Sequence, residues 1–162
     1  MHATTTIDIT ASSLPLRFLD SLVRVHVAHG DGGDGVSILE FRAPFGDSPP
    51  LHVHHTEDES FFVLDGSLRL AVGDDELRLE AGQGARAPRG VPHSYRVDSS
   101  GGARWLVVTT GGDFERFVGA LAAPAASEAI PERSGPPAPE QAEALAAVAA
   151  AHGIELVGPP LA

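Results

Sequence analysis

Short apolar or alternating runs, separated by turn-forming residues, extend along the chain from about Leu14 to Thr110. Side chains of a strand alternate between two faces, so about eight runs of this length predict an all-β barrel or sandwich. Asp65-Gly66, which separates two of the runs, predicts a tight hairpin because both residue types tolerate a positive φ. The runs are Ser21 to Ala28, Gly35 to Arg42, Leu51 to His55, Ser60 to Leu64, Ser67 to Val72, Glu76 to Glu80, His93 to Val97 and Ala103 to Thr110.

Helical spacing replaces this pattern after residue 112. Asp113 is expected to be the N-cap of a short helix, and the Ala-rich stretch from Glu140 to His152, which ends at Gly153, predicts a second helix. We therefore predict a β-barrel over residues 1–112 and a helical extension over residues 113–162 that packs on the barrel. The apolar face of the first helix comprises Phe114, Phe117, Val118 and Leu121, and the expected docking residues further on are Leu145, Val148, Ile154 and Leu156.

Composition narrows the possible functions. Eleven basic and 22 acidic residues give a net charge of −11, which argues against a nucleic-acid partner, because such a partner requires a basic face. The absence of cysteine excludes disulfides, thiolate metal sites and cysteine nucleophiles. Neither a signal-peptide pattern nor an apolar run of membrane-spanning length is present, so we expect a soluble, cytoplasmic protein.

Four of the eight histidines lie close together in the β region, at His52, His54, His55 and His93. Strand alternation places His52 and His54 on one face and turns His55 to the other. Glu59 follows at the start of the next run. A His-x-His pair alone is common as surface or core decoration, but three imidazoles and a carboxylate together form an open site for a first-row transition metal.

The glycine and proline residues around these four positions have a fixed spacing. Gly46, His52-x-His54, Glu59 and Gly66 are separated by five, four and six residues, and Gly82, Pro88-x-Gly90 and His93 by five and two. These two blocks resemble the two signature motifs of the cupin superfamily and match nine of its ten fixed positions. The tenth position, an Asn in the family, is Val97 here.

The resemblance implies a fold and a metal centre. The fold would be a double-stranded β-helix, or jelly-roll, cupin barrel followed by C-terminal helices. His52, His54, Glu59 and His93 would be the ligands of one divalent Fe, Mn, Ni, Co, Cu or Zn ion. Glu57 is a rival for Glu59, but only Glu59 satisfies the family spacing, and Glu57 is expected in a solvated acidic loop. Most cupins are dimers, so a homodimer is expected.

Three further side chains are candidates for a substrate pocket. Phe61 and Val63 share the strand face of Glu59, and Tyr95 shares that of His93, although plain core packing is an alternative for each. Arg86, Arg89 and Arg96 are expected in solvent, or at the mouth of the site if the substrate is acidic. Trp105 is expected in the barrel core.

Within the family, the chain is similar to small bacterial single-domain cupins of the quercetin dioxygenase type. The resemblance implies a metal-dependent dioxygenase that acts on an enolic or phenolic aromatic molecule with dioxygen, and Glu59 would be both ligand and catalytic base. One alternative is a non-oxidative metal-dependent cyclase or isomerase, or a small-molecule-binding cupin. Another is a structural cupin whose metal only braces the barrel.

Overall fold

Two antiparallel β-sheets enclose one core in the computed structural model of the protein, which describes residues 15–30 and 35–162. The first sheet contains β1 (Leu16–Phe18), β2 (Ser21–Val27), β3 (Ser37–Ala43), β5 (Glu59–Asp65), β8 (Gly84–Ala87), β10 (Ala103–Thr109) and β11 (Ala123–Pro124), in the order β11-β1-β2-β3-β10-β5-β8. The second contains β4 (Pro50–His54), β6 (Ser67–Val72), β7 (Asp75–Glu80), β9 (His93–Val97) and β12 (Ile154–Pro160), in the order β12-β4-β9-β6-β7. The helices are α1 (Asp113–Leu121) and α2 (Pro139–Ala151). This is the all-β jelly roll that the sequence predicts.

The core lies between the sheets because strand alternation turns every second side chain inward. In β3, buried and partly exposed residues alternate along the whole strand. Phe41 of β3 stacks on Trp105 of β10 with ring centroids 5.6 Å apart. Trp105 is fully buried, which confirms its predicted core position. Burying a side chain of this class stabilises the fold by about 1.5 to 3 kcal/mol.

The eight predicted runs correspond to eight of the strands, but the hairpin prediction at Asp65-Gly66 is wrong. β5 pairs with β8 and β10, whereas β6 pairs with β7 and β9, so the turn carries the chain from one sheet to the other. Gly66 has φ +77°, and a Cβ there would lie 2.5 Å from Ser99 Oγ. Glycine is required at this crossing by both conformation and space.

Both predicted helices are present, and the N-cap prediction is wrong. Gly112, not Asp113, is the N-cap of α1, and no side chain caps it at that position. Asp113 is the first helical residue. The apolar face is as predicted, with Phe114, Phe117 and Val118 buried and Leu121 partly buried against the core.

The C-terminal segment contributes two strands, β11 and β12, as well as the helices. Ile154 of β12 is 3% exposed, and Leu145, Val148 and Leu156 pack against the core cluster while staying partly exposed. β12 pairs with β4 and forms an edge of the second sheet. The division of the chain at residue 112 stays a prediction. Within residues 15–30 and 35–162, neither helix has the length and apolar character needed to cross a membrane.

Candidate metal centre

Three strands from both sheets bring the four predicted ligand residues together. His52 of β4 lies opposite His93 of β9 in the sheet register, and His54 follows two residues later on the same face. Glu59 is the first residue of β5, in the facing sheet. The backbone N–H of Gly90 donates to the carbonyl of His54 at 2.8 Å, so the turn of the second motif is tied to the end of β4.

The donor atoms of His52, His54, Glu59 and His93 all lie within 4.8 Å of one another. Glu59 Oε2 is 2.8 Å from His93 Nε2 and 3.4 Å from His54 Nε2. All four residues are buried, with His52 the most exposed at 9%. The sequence-predicted set therefore converges on one point inside the barrel.

Hydrogen bonds at Nδ1 of His52 and His93 leave Nε2 of each ring facing the cluster, where His93 Nε2 also lies within hydrogen-bond distance of Glu59 Oε2. His52 Nδ1–H donates to the Pro50 carbonyl at 2.7 Å, and His93 Nδ1–H donates to the Val91 carbonyl at 2.9 Å. A neutral imidazole that donates from Nδ1 presents a lone pair at Nε2. His54 is buried, yet neither of its ring nitrogens has a hydrogen-bond partner among the described residues. Buried donor atoms with this chemistry fit a first-row transition metal.

The electrostatics of the cluster favour a neutral ring at His52 and an ionised carboxylate at Glu59. Burial, together with the repulsion of His93, lowers the pKa of His52 to about 4. Burial alone would raise the pKa of Glu59, but the imidazoles of His54 and His93 outweigh burial and lower this pKa to about 2. Burial opposes charge on His93 too, while its hydrogen bond to Glu59 raises the His93 pKa. The carboxylate is thus ionised at neutral pH.

Glu57 does not lie in a solvated loop, contrary to the sequence prediction. It is 1% exposed, and its Oε1 accepts a 2.6 Å hydrogen bond from the backbone N–H of Phe114, in the first turn of α1. The same Oε1 lies 3.5 Å from His54 Nδ1, the ring nitrogen on the far side from Glu59. Glu57 is therefore outside the group of four and behind one of its members.

An apolar cavity adjoins the cluster. His52, His54 and Glu59 form one part of its wall, and Phe61 and Tyr95, two of the predicted pocket residues, also line it. Val63, the third, is fully buried in the core and is not among the lining residues. The space open to the centre of a water molecule is about 70 Å³. The remaining wall is formed by Phe18, Leu19, Phe41, Pro49, Pro50, Trp105, Val107, Phe114, Phe117, Leu145, Ile154 and Leu156.

A larger and more polar chamber of about 640 Å³ lies next to this cavity, and six residues line both: Phe18, Leu19, Pro49, Pro50, Tyr95 and Leu145. Tyr95 O–H donates to Asp47 Oδ2 at 2.9 Å, and both Asp47 and Asp20 line the chamber. Burial raises the pKa of Asp47 to about 6, and burial beside Asp47 raises the pKa of Tyr95. The sequence prediction missed Asp47, which no motif marks.

Comparison with known proteins places this geometry in a family. Residues 39–109 match the model of the cupin domain. This part of the barrel is a cupin domain. Over 67 residues, or 41% of the chain, the protein is 42% identical to quercetin 2,3-dioxygenase of Bacillus subtilis (strain 168). The match covers 20% of that enzyme, so the chain spans about a fifth of the length of the curated relative.

Solved structures support the cupin fold. A predicted oxalate decarboxylase from Thermotoga maritima is similar with a TM-score of 0.57 and 16% identity, over 64% of this chain and 98% of that one. A variant of oxalate decarboxylase from Bacillus subtilis gives a TM-score of 0.54 and 22% identity, over 67% of this chain and 32% of that one. At these identities the likeness concerns the fold alone.

The cupin model stops before much of the cavity wall. Phe114 and Phe117 of α1, Leu145 of α2, and Ile154 and Leu156 of β12 all line the cavity from beyond residue 109. The three- and four-residue spacing in α1 signalled one buried face, and docking of the later apolar residues was expected. No local pattern in the sequence indicated that α1, α2 or β12 would lie next to the cluster of histidines and Glu59.

Proposed function

We propose that this cupin domain is the core of a metal-dependent dioxygenase that acts on an enolic or phenolic aromatic small molecule. The observation that carries the proposal is the opening of a buried cluster of three histidines and one glutamate onto an aromatic-lined cavity. The 42% identity to an enzyme whose name specifies quercetin as the substrate supports the same class of substrate.

His52, His54, Glu59 and His93 would hold one divalent ion of Fe, Mn, Ni, Co, Cu or Zn, since imidazole and carboxylate ligands suit all six metals. A bound ion of this class supplies a Lewis acid for a substrate oxygen and, with a redox-active metal, a route for electrons to dioxygen.

Glu59 has a second role in this proposal. Its carboxylate forms part of the cavity wall, so it lies where it can reach the proton of an enolic or phenolic hydroxyl on a bound substrate. The resulting enolate is a better electron donor towards dioxygen than the neutral enol. Glu59 is therefore the proposed catalytic residue.

The cavity wall selects against acidic substrates. No Lys or Arg lines the cavity in the part of the chain that the structure describes. Arg86, one of the candidates for binding an acid, instead pairs with Asp58 at 2.8 Å. An anion in this cavity would lose its hydration with only the metal as a partner, which is costly. The wall favours an uncharged aromatic ring.

A substrate larger than the cavity would be divided between the cavity and the adjacent chamber. A space of about 70 Å³ holds roughly five or six water molecules. This is room for the part of a substrate that reacts. The remainder would occupy the adjacent chamber beyond Tyr95 and Leu145.

An oxygen-electrode assay tests the proposal. The metal-loaded protein is screened with flavonols and with enolic aromatic polyketides, and oxygen uptake is compared with product formation. We expect Glu59→Gln to keep the fold and measurable metal but to lose most oxygen-dependent turnover, because Gln keeps the shape and loses the base. His54→Ala is expected to lose the metal itself.

Circular dichroism and elemental analysis of each variant separate loss of fold from loss of chemistry. If the metal-loaded protein consumes no oxygen with any of these compounds but binds or rearranges one, the non-oxidative cyclase, isomerase or binding alternative replaces the dioxygenase.

A further inference from the structure

The Nδ1 atoms of the three clustered histidines, which face away from the centre of the cluster, have different neighbours. His52 and His93 each donate from Nδ1 to a backbone carbonyl two residues earlier in the chain. Among the described residues, no carbonyl accepts a hydrogen bond from the ring of His54. Its Nδ1 faces the carboxylate of Glu57 instead, at 3.5 Å from Oε1, and its Nε2 faces Glu59 Oε2 at 3.4 Å.

Glu57 is held in place from the side opposite His54. Its Oε1 accepts the N–H of Phe114 in the first turn of α1, where the helix dipole also favours an anion. Its Oε2 is buried without a hydrogen-bond partner among the described residues. A buried carboxylate with unused acceptor capacity thus lies beside a buried histidine with an unpartnered nitrogen.

We propose that Glu57 is a positioning residue of the metal centre, whose carboxylate accepts a hydrogen bond from His54 Nδ1–H and so leaves His54 Nε2 as the metal-binding atom. The inference rests on the metal-binding part of the proposed function and is independent of the reaction catalysed. Glu57 touches neither the metal nor the substrate; it acts through His54.

The chemistry of a neutral imidazole supports this role. The ring has one proton, which lies on Nδ1 or on Nε2. A proton on Nε2 would point towards Glu59 and block coordination. A proton on Nδ1 points towards Glu57 and frees Nε2. A carboxylate behind a ligating histidine fixes the tautomer and ring orientation, and its loss typically weakens metal affinity 10- to 100-fold.

Gly111 provides a way to displace Glu57 without changing its charge. A Cβ at residue 111 would lie 2.7 Å from Glu57 Oε2, and Gly111 is not in the left-handed region, so Ala fits the backbone there. The nearest atoms to that Cβ all belong to Glu57. Gly111→Ala is therefore expected to push the carboxylate out of its present position.

Cobalt(II) titration of the full chain, stripped of metal with a chelator, tests the inference. We expect Glu57→Gln and Gly111→Ala to raise the dissociation constant for Co²⁺ 10- to 100-fold. Both substitutions should also change the visible ligand-field spectrum of the bound Co²⁺. Glu115→Gln is the matched control, because Glu115 is also a carboxylate acceptor in the first turn of α1 but is partly buried and accepts from Ser37 and His29 instead. The control is expected to bind Co²⁺ within twofold of the wild type.

A second measurement uses only the wild-type protein, so it does not require that any variant folds. Long-range ¹H–¹⁵N spectra of the Zn²⁺-loaded wild type are expected to show His54 protonated at Nδ1 and metal-bound at Nε2. Protonation at Nε2, or equal Co²⁺ affinities for Glu57→Gln and the wild type, would overturn the role of Glu57. Failure of the wild type to bind Co²⁺ and Zn²⁺ would instead overturn the metal centre of the proposed function.

Discussion

Glu59 and Asp47 are carboxylates in neighbouring chambers of one barrel, yet the pKa of Glu59 falls to about 2 whereas that of Asp47 rises to about 6. Burial raises both pKa values, so the neighbours decide the difference. Glu59 faces the imidazoles of His54 and His93, which favour its charge. Asp47 has the phenol of Tyr95, whose hydrogen bond compensates its burial only in part, and the carboxylate of Asp20 adds to the rise.

The difference shows that the two chambers suit different groups. The inner one keeps a permanent anion beside three imidazoles, which is an environment for a cation. The outer one keeps a carboxyl group that changes charge near neutral pH and is therefore suited to polar, hydrogen-bonding groups. A substrate with one apolar ring and one hydroxylated end would match both.

The largest expected effect is the response of stability to metal, which should depend on the inner chamber alone. A ligand that binds only the folded state at 1,000 times its Kd stabilises that state by about 4 kcal/mol. Urea unfolding with and without Co²⁺ should show this increment in the wild type and in Asp47→Asn, but not in His52→Ala. Loss of the increment in Asp47→Asn would show that the two chambers are not independent.

The pH dependence of stability should depend on the outer chamber. The pKa of Asp47 is higher in the folded state than in the unfolded state, so its stabilising contribution is complete below about pH 4 and is lost as the pH rises through 6. Relative to Asp47→Asn, the metal-free wild type should lose roughly 2 kcal/mol between pH 4 and pH 7. Urea unfolding at a series of pH values measures this difference, and a difference that stays constant with pH would refute the assignment.

The smallest expected effect belongs to the phenol between the chambers. Tyr95→Phe removes the donor to Asp47 Oδ2 and should cost about 1 kcal/mol of unfolding free energy. It should also raise the pKa of Asp47 further. Co²⁺ affinity should stay within twofold of the wild type, since Tyr95 contributes no donor atom to the cluster. A tenfold change in Co²⁺ affinity would mean that Tyr95 belongs functionally to the inner chamber.

Spacing made the cluster predictable. Alternation along β4 puts His52 and His54 on one face, and the motif spacing places His93 on the neighbouring strand β9 and Glu59 on β5 of the facing sheet. Glu57 was missed for the opposite reason, because its neighbour at the start of α1 lies 57 residues further along the chain. An acidic run in a loop gives no local sign that one of its members is buried.

Strands that depend on their partners were also missed. β8, with the sequence Gly-Ala-Arg-Ala, has little intrinsic strand propensity and forms through its pairing with β5. β12 includes Gly158 and ends in two prolines, which resembles a loop, yet it pairs with β4 from Ile154 to Pro160. Proline suits an edge strand because its missing N–H discourages further pairing.

The pairing of β12 with β4 has a consequence for biosynthesis. Ile154 of β12 pairs with His54 of β4, which is 100 residues earlier in the chain, and a ribosome needs about 5 to 20 seconds to add that many residues. During this interval β4, which carries His52 and His54, is an open edge that can pair with another nascent chain.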